Sequence, residues 1–166
     1  MIFLTIGTHE PFDRLVRAVD EWCMARDCGD RVFGQITARA RYQPSSFEYE
    51  ATLDLVDYDN RCREAELIVS HAGMGSIITA MSLAKPIVIV PRRGHLGETR
   101  NDHQVATAER FGARPGVHVA TDVERLMVLL DGFLAREAIG TGIPISTFAE
   151  ERLITAIRRF IFDVGS

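Results

Sequence analysis

The stretch from Leu67 to Val90 constrains the fold more than any other part of the chain. Leu67 to Ser70 is a short apolar run, and His71-Ala72-Gly73-Met74-Gly75-Ser76 is a glycine-rich turn. Ile77 to Leu83 has helical character and stops before Lys85-Pro86; Ile87 to Val90 is a second apolar run, closed by Pro91. Runs of this length without alternating polar residues read as strands buried on both faces, the signature of a parallel sheet. A strand, a helix and a parallel strand in succession form a right-handed crossover.

The same alternation extends along the chain. Met1 to Ile6 is an apolar strand ending at Gly7. Phe12 to Arg26 has apolar residues at Phe12, Leu15, Val16, Val19, Trp22 and Cys23, one face of a helix. Arg31 to Thr37 reads as a strand. Arg39 to Glu50 is polar and Pro-interrupted, a loop with a short strand near Phe47 to Tyr49. Leu53 to Val56 reads as a further strand, and Asp57 to Ala65 as a short helix. Asp102 is expected to cap a helix reaching Phe111, with Gly112 at its end. Val117 to Ala120 reads as a strand, followed by a helix from Thr121 or Asp122 to Arg136. After the Gly/Pro-rich connector Ala138–Pro144, Ser146 or Thr147 starts an amphipathic helix carrying Phe148, Leu153, Ile154, Ile157, Phe160 and Ile161. The connector lets that helix fold back. The expectation is one domain over residues 1–166, an α/β doubly wound, Rossmann-like parallel sheet.

Composition excludes several classes. At 46% hydrophobic and 25% charged, the 166-residue chain reads as an ordinary globular domain. Its net charge of -4 gives no global signature for nucleic acid or anionic lipid. Cys23, Cys28 and Cys62 form no disulfide framework or zinc pattern and read as reduced, buried thiols. No signal peptide is read at the amino terminus, and no apolar stretch approaches the roughly 18 residues that span a bilayer. The expected location is cytoplasmic.

In open α/β sheets ligands bind beyond the carboxyl ends of the strands. Three loops fall there: Gly7–Pro11, His71–Ser76 and Arg92–Asp102. Gly73 and Gly75 allow unusual backbone conformations and close approach, and the helix beginning near Gly75 points its free N–H groups into the crevice. That suits a diphosphate, with the Ser76 hydroxyl as a further donor. The turn lacks the Gly-Lys-Ser/Thr of a Walker A loop and the spacing of a dinucleotide fold. Arg92 and Arg93 either neutralise phosphate or pair locally. Asn101, Asp102, His103 and Gln104 supply the amides and carboxylate that read sugar hydroxyls. Asp102 doubles as the helix cap. In Gly7-Thr8-His9-Glu10-Pro11, His9 and Glu10 are weak candidates for a base, Glu10 being equally well explained as a helix-entry charge.

Three segments carry a resemblance: Glu66-Leu-Ile-Val-Ser-His-Ala-Gly-Met-Gly-Ser-Ile, Ala84-Lys-Pro-Ile-Val-Ile-Val-Pro, and Asn101-Asp-His-Gln. In this order they resemble the C-terminal domain of family 28 glycosyltransferases. The likeness is strongest to small, separately encoded subunits. These are the eukaryotic subunit that helps form N-acetylglucosaminyldiphosphodolichol, and the PssE-like and EpsE-like subunits of bacterial exopolysaccharide synthesis. The opening Gly7-Thr-His-Glu-Pro-Phe-Asp-Arg-Leu-Val, Pro91-Arg-Arg and Leu96-Gly-Glu also look like the bacterial subgroup. The resemblance is weakest over residues 38–55 and 136–150.

The resemblance implies a GT-B enzyme divided in two. This half would bind a UDP-sugar as substrate, with no cofactor and no metal. A membrane-anchored PssD-like half would bind a lipid-linked glycan acceptor and bring this chain to the inner face of the membrane. Gly7, Thr8, His71, Gly73, Met74, Gly75, Ser76, Arg92, Arg93, Asn101, Asp102, His103 and Gln104 would hold the nucleotide and donor. Many members place an acidic residue for the ribose where this chain has Thr79. The implied reaction is an inverting transfer to a polyprenyl-diphosphate-linked glycan, with helix N-terminus and basic loop stabilising the leaving diphosphate. Asp57-Tyr58-Asp59 is read as a helix cap, not a chelator. The rival readings are a nucleotide-sugar-binding subunit without catalysis, and a standalone epimerase-like relative, for which one domain is too few.

Overall fold

A computed structural model describes residues 1–136, 140, 142, 144, 145 and 151–162. Six parallel strands form one sheet in the order β3-β2-β1-β4-β5-β6: β1 (Ile2–Thr5), β2 (Val32–Gln35), β3 (Glu48–Glu50), β4 (Leu67–His71), β5 (Ile87–Val90) and β6 (Val117–Val119). The registers are regular: Ile2 pairs with Val32 on one side and with Leu67 on the other, and Thr5 with Gln35 and Ser70. The chain winds outward from β1 in both directions. The switch point therefore lies between β1 and β4.

The four central strands are buried along both faces, as their unbroken apolar runs require. One face is covered by α1 (Asp13–Arg26) and α5 (Val123–Leu134), the other by α2 (Leu55–Glu64), α3 (Met74–Ser82) and α4 (His103–Phe111). On α1, Leu15, Val16, Val19, Trp22 and Cys23 recur at helical spacing and are all buried. Each such aliphatic side chain contributes about 1.5–3 kcal/mol by leaving water. The Trp22 indole N–H donates to Asp131 at 2.8 Å, tying α1 to α5, and Arg26 holds the same carboxylate from the surface at 2.7 Å.

Two expectations about α2 change. Leu53–Val56 is not a strand: Leu55 and Val56 are the first residues of the helix and are 88% and 68% exposed. The cap is Asp54 rather than the Asp57–Asp59 pair, for Asp54 Oδ1 accepts from the Asp57 N–H at 2.8 Å. Asp59 instead pairs with Arg63 one turn along. A satisfied N-cap contributes about 1 kcal/mol.

The polar loop before β3 is fastened by buried Asp20 of α1. Its carboxylate accepts from the Tyr42 hydroxyl at 2.6 Å and from the main-chain N–H groups of Ser45 and Ser46 at 3.0 and 2.8 Å. Burial pushes this carboxyl up, but the bonds from Ser46, Tyr42 and Ser45 together hold it below its ordinary value.

The carboxyl-terminal helix α6 (Glu151–Phe162) has the expected amphipathic pattern. It does not fold its apolar face away, however: Leu153 and Ile157 are 53% and 47% exposed. Both faces of the sheet are already covered by α1 to α5, which leaves α6 no core to complete. The expected start at Ser146 or Thr147, Phe148, and the side chains of Phe160 and Ile161 lie outside the described residues. No helix among the described residues is long and apolar enough to cross a membrane.

Candidate functional site

The carboxyl ends of β1 and β4 open the crevice at the switch point. Thr5 ends β1 and pairs with Ser70 of β4, which His71 ends; Thr5 and Ser70 are fully buried. The Thr5 hydroxyl donates to Gln35 Oε1 at 2.7 Å, and Gln35 Nε2 donates to the Gly7 carbonyl at 3.1 Å. Gly7 has a left-handed φ of +82°, which favours glycine.

The imidazole of His71 lies between Gly7 and Gly73. A Cβ on Gly7 would stand 3.1 Å from His71 Cε1, and one on Gly73 only 2.2 Å from Nε2. The glycine turn thus has a different reason from the one expected. Gly73 has an ordinary extended backbone (φ -91°, ψ 137°) and is glycine to make room for the ring. Gly75, inside the first turn of α3, is glycine with open space where its Cβ would be. A ligand can therefore approach the first-turn N–H groups, which have no side-chain cap. Exposed Met74 lies in the same turn. Ser76 is buried beside the Tyr58 hydroxyl, so what it offers the crevice is its main-chain N–H rather than its hydroxyl. Thr79 is half-buried one turn beyond Gly75, on the same side of the helix.

His71 is neutral at physiological pH. Burial pushes it down to about 4, the charge of Arg92 adds to the shift, and a bond to the Thr5 main chain opposes it. Its Nδ1 lies 3.3 Å from the Ser70 hydroxyl.

The third loop is tied to the first. The Arg92 guanidinium is turned inward and donates to the carbonyls of Ile6, Glu10, Pro11 and Glu98, so it is not placed to grip a phosphate directly. Arg93 donates to the Thr121 carbonyl at 2.7 Å. Both arginines bond main-chain carbonyls of the chain rather than forming the local salt bridge expected of them. Arg14 forms a fork on Glu98, at 2.7 and 3.0 Å, and Glu98 also accepts from the Arg93 N–H. Neither Arg14 nor the role of Glu98 was legible beforehand, because the partners are far apart in sequence and neither sits in a distinctive pattern.

Asp102 stands at the start of α4, but its carboxylate does not cap the helix; it accepts from the Gly94 N–H at 2.8 Å and closes the loop. Asn101 Oδ1 accepts from the His103 N–H at 3.2 Å instead and also contacts the His103 ring. Gln104 is buried with its Oε1 held by the Arg92 N–H at 3.1 Å, which fixes its amide direction. Gly112 ends α4 in a right-handed conformation, where a Cβ would meet Val119 at 2.8 Å; close packing, not left-handed backbone, selects it.

A cavity of about 520 Å³ joins Glu10 to Gly97, Glu98, Thr99, Arg100, Asn101 and His103. It brings the first loop's carboxylate against the third loop's polar set. His9 is exposed beside it, its Nδ1 2.9 Å from the Thr8 hydroxyl. A slightly larger cavity near Met1, Phe33, Phe47 and Arg61 lies at the opposite end of the strands, and none of the candidate residues lines it.

This geometry can be set beside known proteins. The human UDP-N-acetylglucosamine transferase subunit ALG13 is 32% identical over 119 residues, which cover 66% of this chain and 10% of that protein. The mouse protein of the same name is 32% identical over 121 residues. The chain thus spans about a tenth of the curated relatives it matches. Among solved structures, spinosyn forosaminyltransferase SpnP superposes with a TM-score of 0.59 at 16% identity, covering 99% of this chain and 40% of that one. The NMR structure of ALG13 superposes with a TM-score of 0.55 at 17% identity, over 98% and 95% of the two chains. Both share the fold. The model of the glycosyltransferase family 28 C-terminal domain matches residues 1–130, and the chain belongs to that family.

Proposed function

We propose that this chain is the donor-binding half of a divided glycosyltransferase and takes a UDP-sugar as substrate. The observation that carries the reading is the uncapped start of α3, open at Gly75 and beside neutral His71. N–H groups at a helix start suit a diphosphate. Amides and a carboxylate across the crevice suit a sugar. The likeness to ALG13, a subunit by its name, supports the divided-enzyme part of the reading.

In this reading α3 and His71 stabilise the diphosphate as it leaves, and an acceptor hydroxyl attacks with inversion. His9, Glu10 or a group on the partner takes its proton. The partner is a membrane-anchored PssD-like subunit, the acceptor a polyprenyl-diphosphate-linked glycan of exopolysaccharide synthesis. The chain itself works in the cytoplasm, peripheral to the membrane. Turnover of UDP-sugars with lipid acceptor and both subunits present tests this. No turnover with any UDP-sugar would overturn it. UDP binding with turnover indifferent to His103→Ala and Gln104→Ala would favour a binding subunit without catalysis.

A further inference from the structure

We propose that α6 is a membrane-surface helix, which lies flat on an anionic lipid bilayer with its apolar stripe in the interface. The inference stands apart from the donor-site reading, in which only the partner brings this chain to the membrane.

α6 carries Leu153, Ile154 and Ile157 on a single side. In sequence Phe160 and Ile161 continue the same period. Leu153 and Ile157 are 53% and 47% exposed, and Ile154 is half-buried. None of these three belongs to either apolar core among the described residues. An exposed apolar stripe rimmed by charge marks a surface that something covers. At twelve residues α6 is too short to span a bilayer, so a membrane could take it only along the surface.

The charges choose the occupant. Arg152, Arg158 and Arg159 are all exposed, and Glu151, at the start of the helix, is its one acid. Three arginines against one glutamate give α6 a charge of +2, in a chain whose net charge is -4. At about 100° per residue, Arg158 borders the apolar stripe, and Arg152 and Arg159 stand on the polar side behind it. Among the described residues none of these arginines has a carboxylate within ion-pair distance. Helices that dock on proteins commonly carry charges of both signs beside the stripe, which set partner and register. Beyond Glu151 the charges of α6 have one sign. An anionic bilayer matches both layers of such a helix. Its acyl boundary takes the stripe, and its headgroups take the arginines, whose long stems reach along the helix to them.

Sedimentation of the whole chain with lipid vesicles tests this. Near an anionic surface each arginine strengthens binding about fivefold, so three give roughly 100-fold. The chain should prefer vesicles of equal parts phosphatidylcholine and phosphatidylglycerol over pure phosphatidylcholine by about that factor. Replacing Arg152, Arg158 and Arg159 together by glutamine should remove the preference. Leu153→Glu with Ile157→Glu should abolish binding to both vesicles and leave the Tm unchanged, since neither side chain serves a core. Ile157→Trp locates the contact and stands in if the glutamate variant does not fold. Its emission should move to the blue on the phosphatidylglycerol vesicles, because Trp22 is already buried and adds no change. Indifference to lipid charge, no binding to either vesicle, or an unmoved emission would overturn the proposal. So would a wild-type dimer in analytical ultracentrifugation that the glutamate variant dissolves, for a second copy would then cover the stripe.

Discussion

The turn after β4 and the loop after β5 follow neighbouring parallel strands at the same end of the sheet but are built in opposite ways. The turn is local. Its shape follows from His71, two glycines and the start of α3, all within six residues. The loop is held from afar: Arg92 reaches back to Ile6, Glu10 and Pro11, and Arg14 of α1 grips Glu98. The contrast teaches that an open helix start can be made by short-range sterics, whereas orienting a row of polar side chains takes ties to the rest of the domain.

Substitution of Gly73 by alanine should break the turn most sharply. The added methyl would fall 2.2 Å from His71 Nε2, so the ring must leave. UDP affinity should drop roughly 100-fold, by calorimetry, with the fold retained. Glu98→Ala should break the loop instead. It frees Arg14 and leaves the Arg93 N–H unpaired, lowering stability by about 2 kcal/mol in urea unfolding. Nucleotide-sugar binding should suffer more than UDP binding.

Gln104→Ala sharpens the division of labour. It should weaken a UDP-sugar on the order of tenfold relative to wild type and leave UDP itself nearly unchanged. Equal losses for both ligands would mean that the two sides do not read separate parts of the donor.

A further expected effect is with pH. The His71 pKa is depressed in the folded chain, so its contribution to stability is complete above about 6.5, the unfolded value. The contribution is lost as pH falls toward about 4. Unfolding free energy should therefore decline between those limits, and His71→Gln should flatten that decline. Asp20, also depressed, contributes above the ordinary carboxylate range and loses its share at still lower pH.

Much of this division was legible in the residues. The strand–turn–helix–strand unit at Leu67–Val90, the parallel sheet and the three loops at the carboxyl ends of its strands follow from apolar runs and punctuation, which are local signals. In the glycine turn Gly75 leaves the open space expected of it, but φ at Gly73 is ordinary, and only the position of a side chain two residues away explains that glycine. Arg92 and Arg93 look in sequence like phosphate ligands. Arg92 turns inward and Arg93 lies along the surface, each set by carbonyls contributed from other parts of the chain, which no window around residue 92 contains. Asp102 looks like a cap and becomes a loop closure because Gly94 presents an unpaired N–H to it. At α2, a four-residue apolar-leaning run was outweighed by one capping aspartate.

The pairing of β1 with β4 has a consequence for how a ligand acts on this chain over time. The crevice exists only once Ile2–Thr5 has found Leu67–Ser70, a contact between segments distant in sequence. Such pairings close late and slowly. A nucleotide therefore has nothing to hold until the central strands have met, and cannot act as a template for their meeting. Once they have met, it must depart before they can separate. Bound ligand should act as a brake on unfolding while leaving the folding rate as it is.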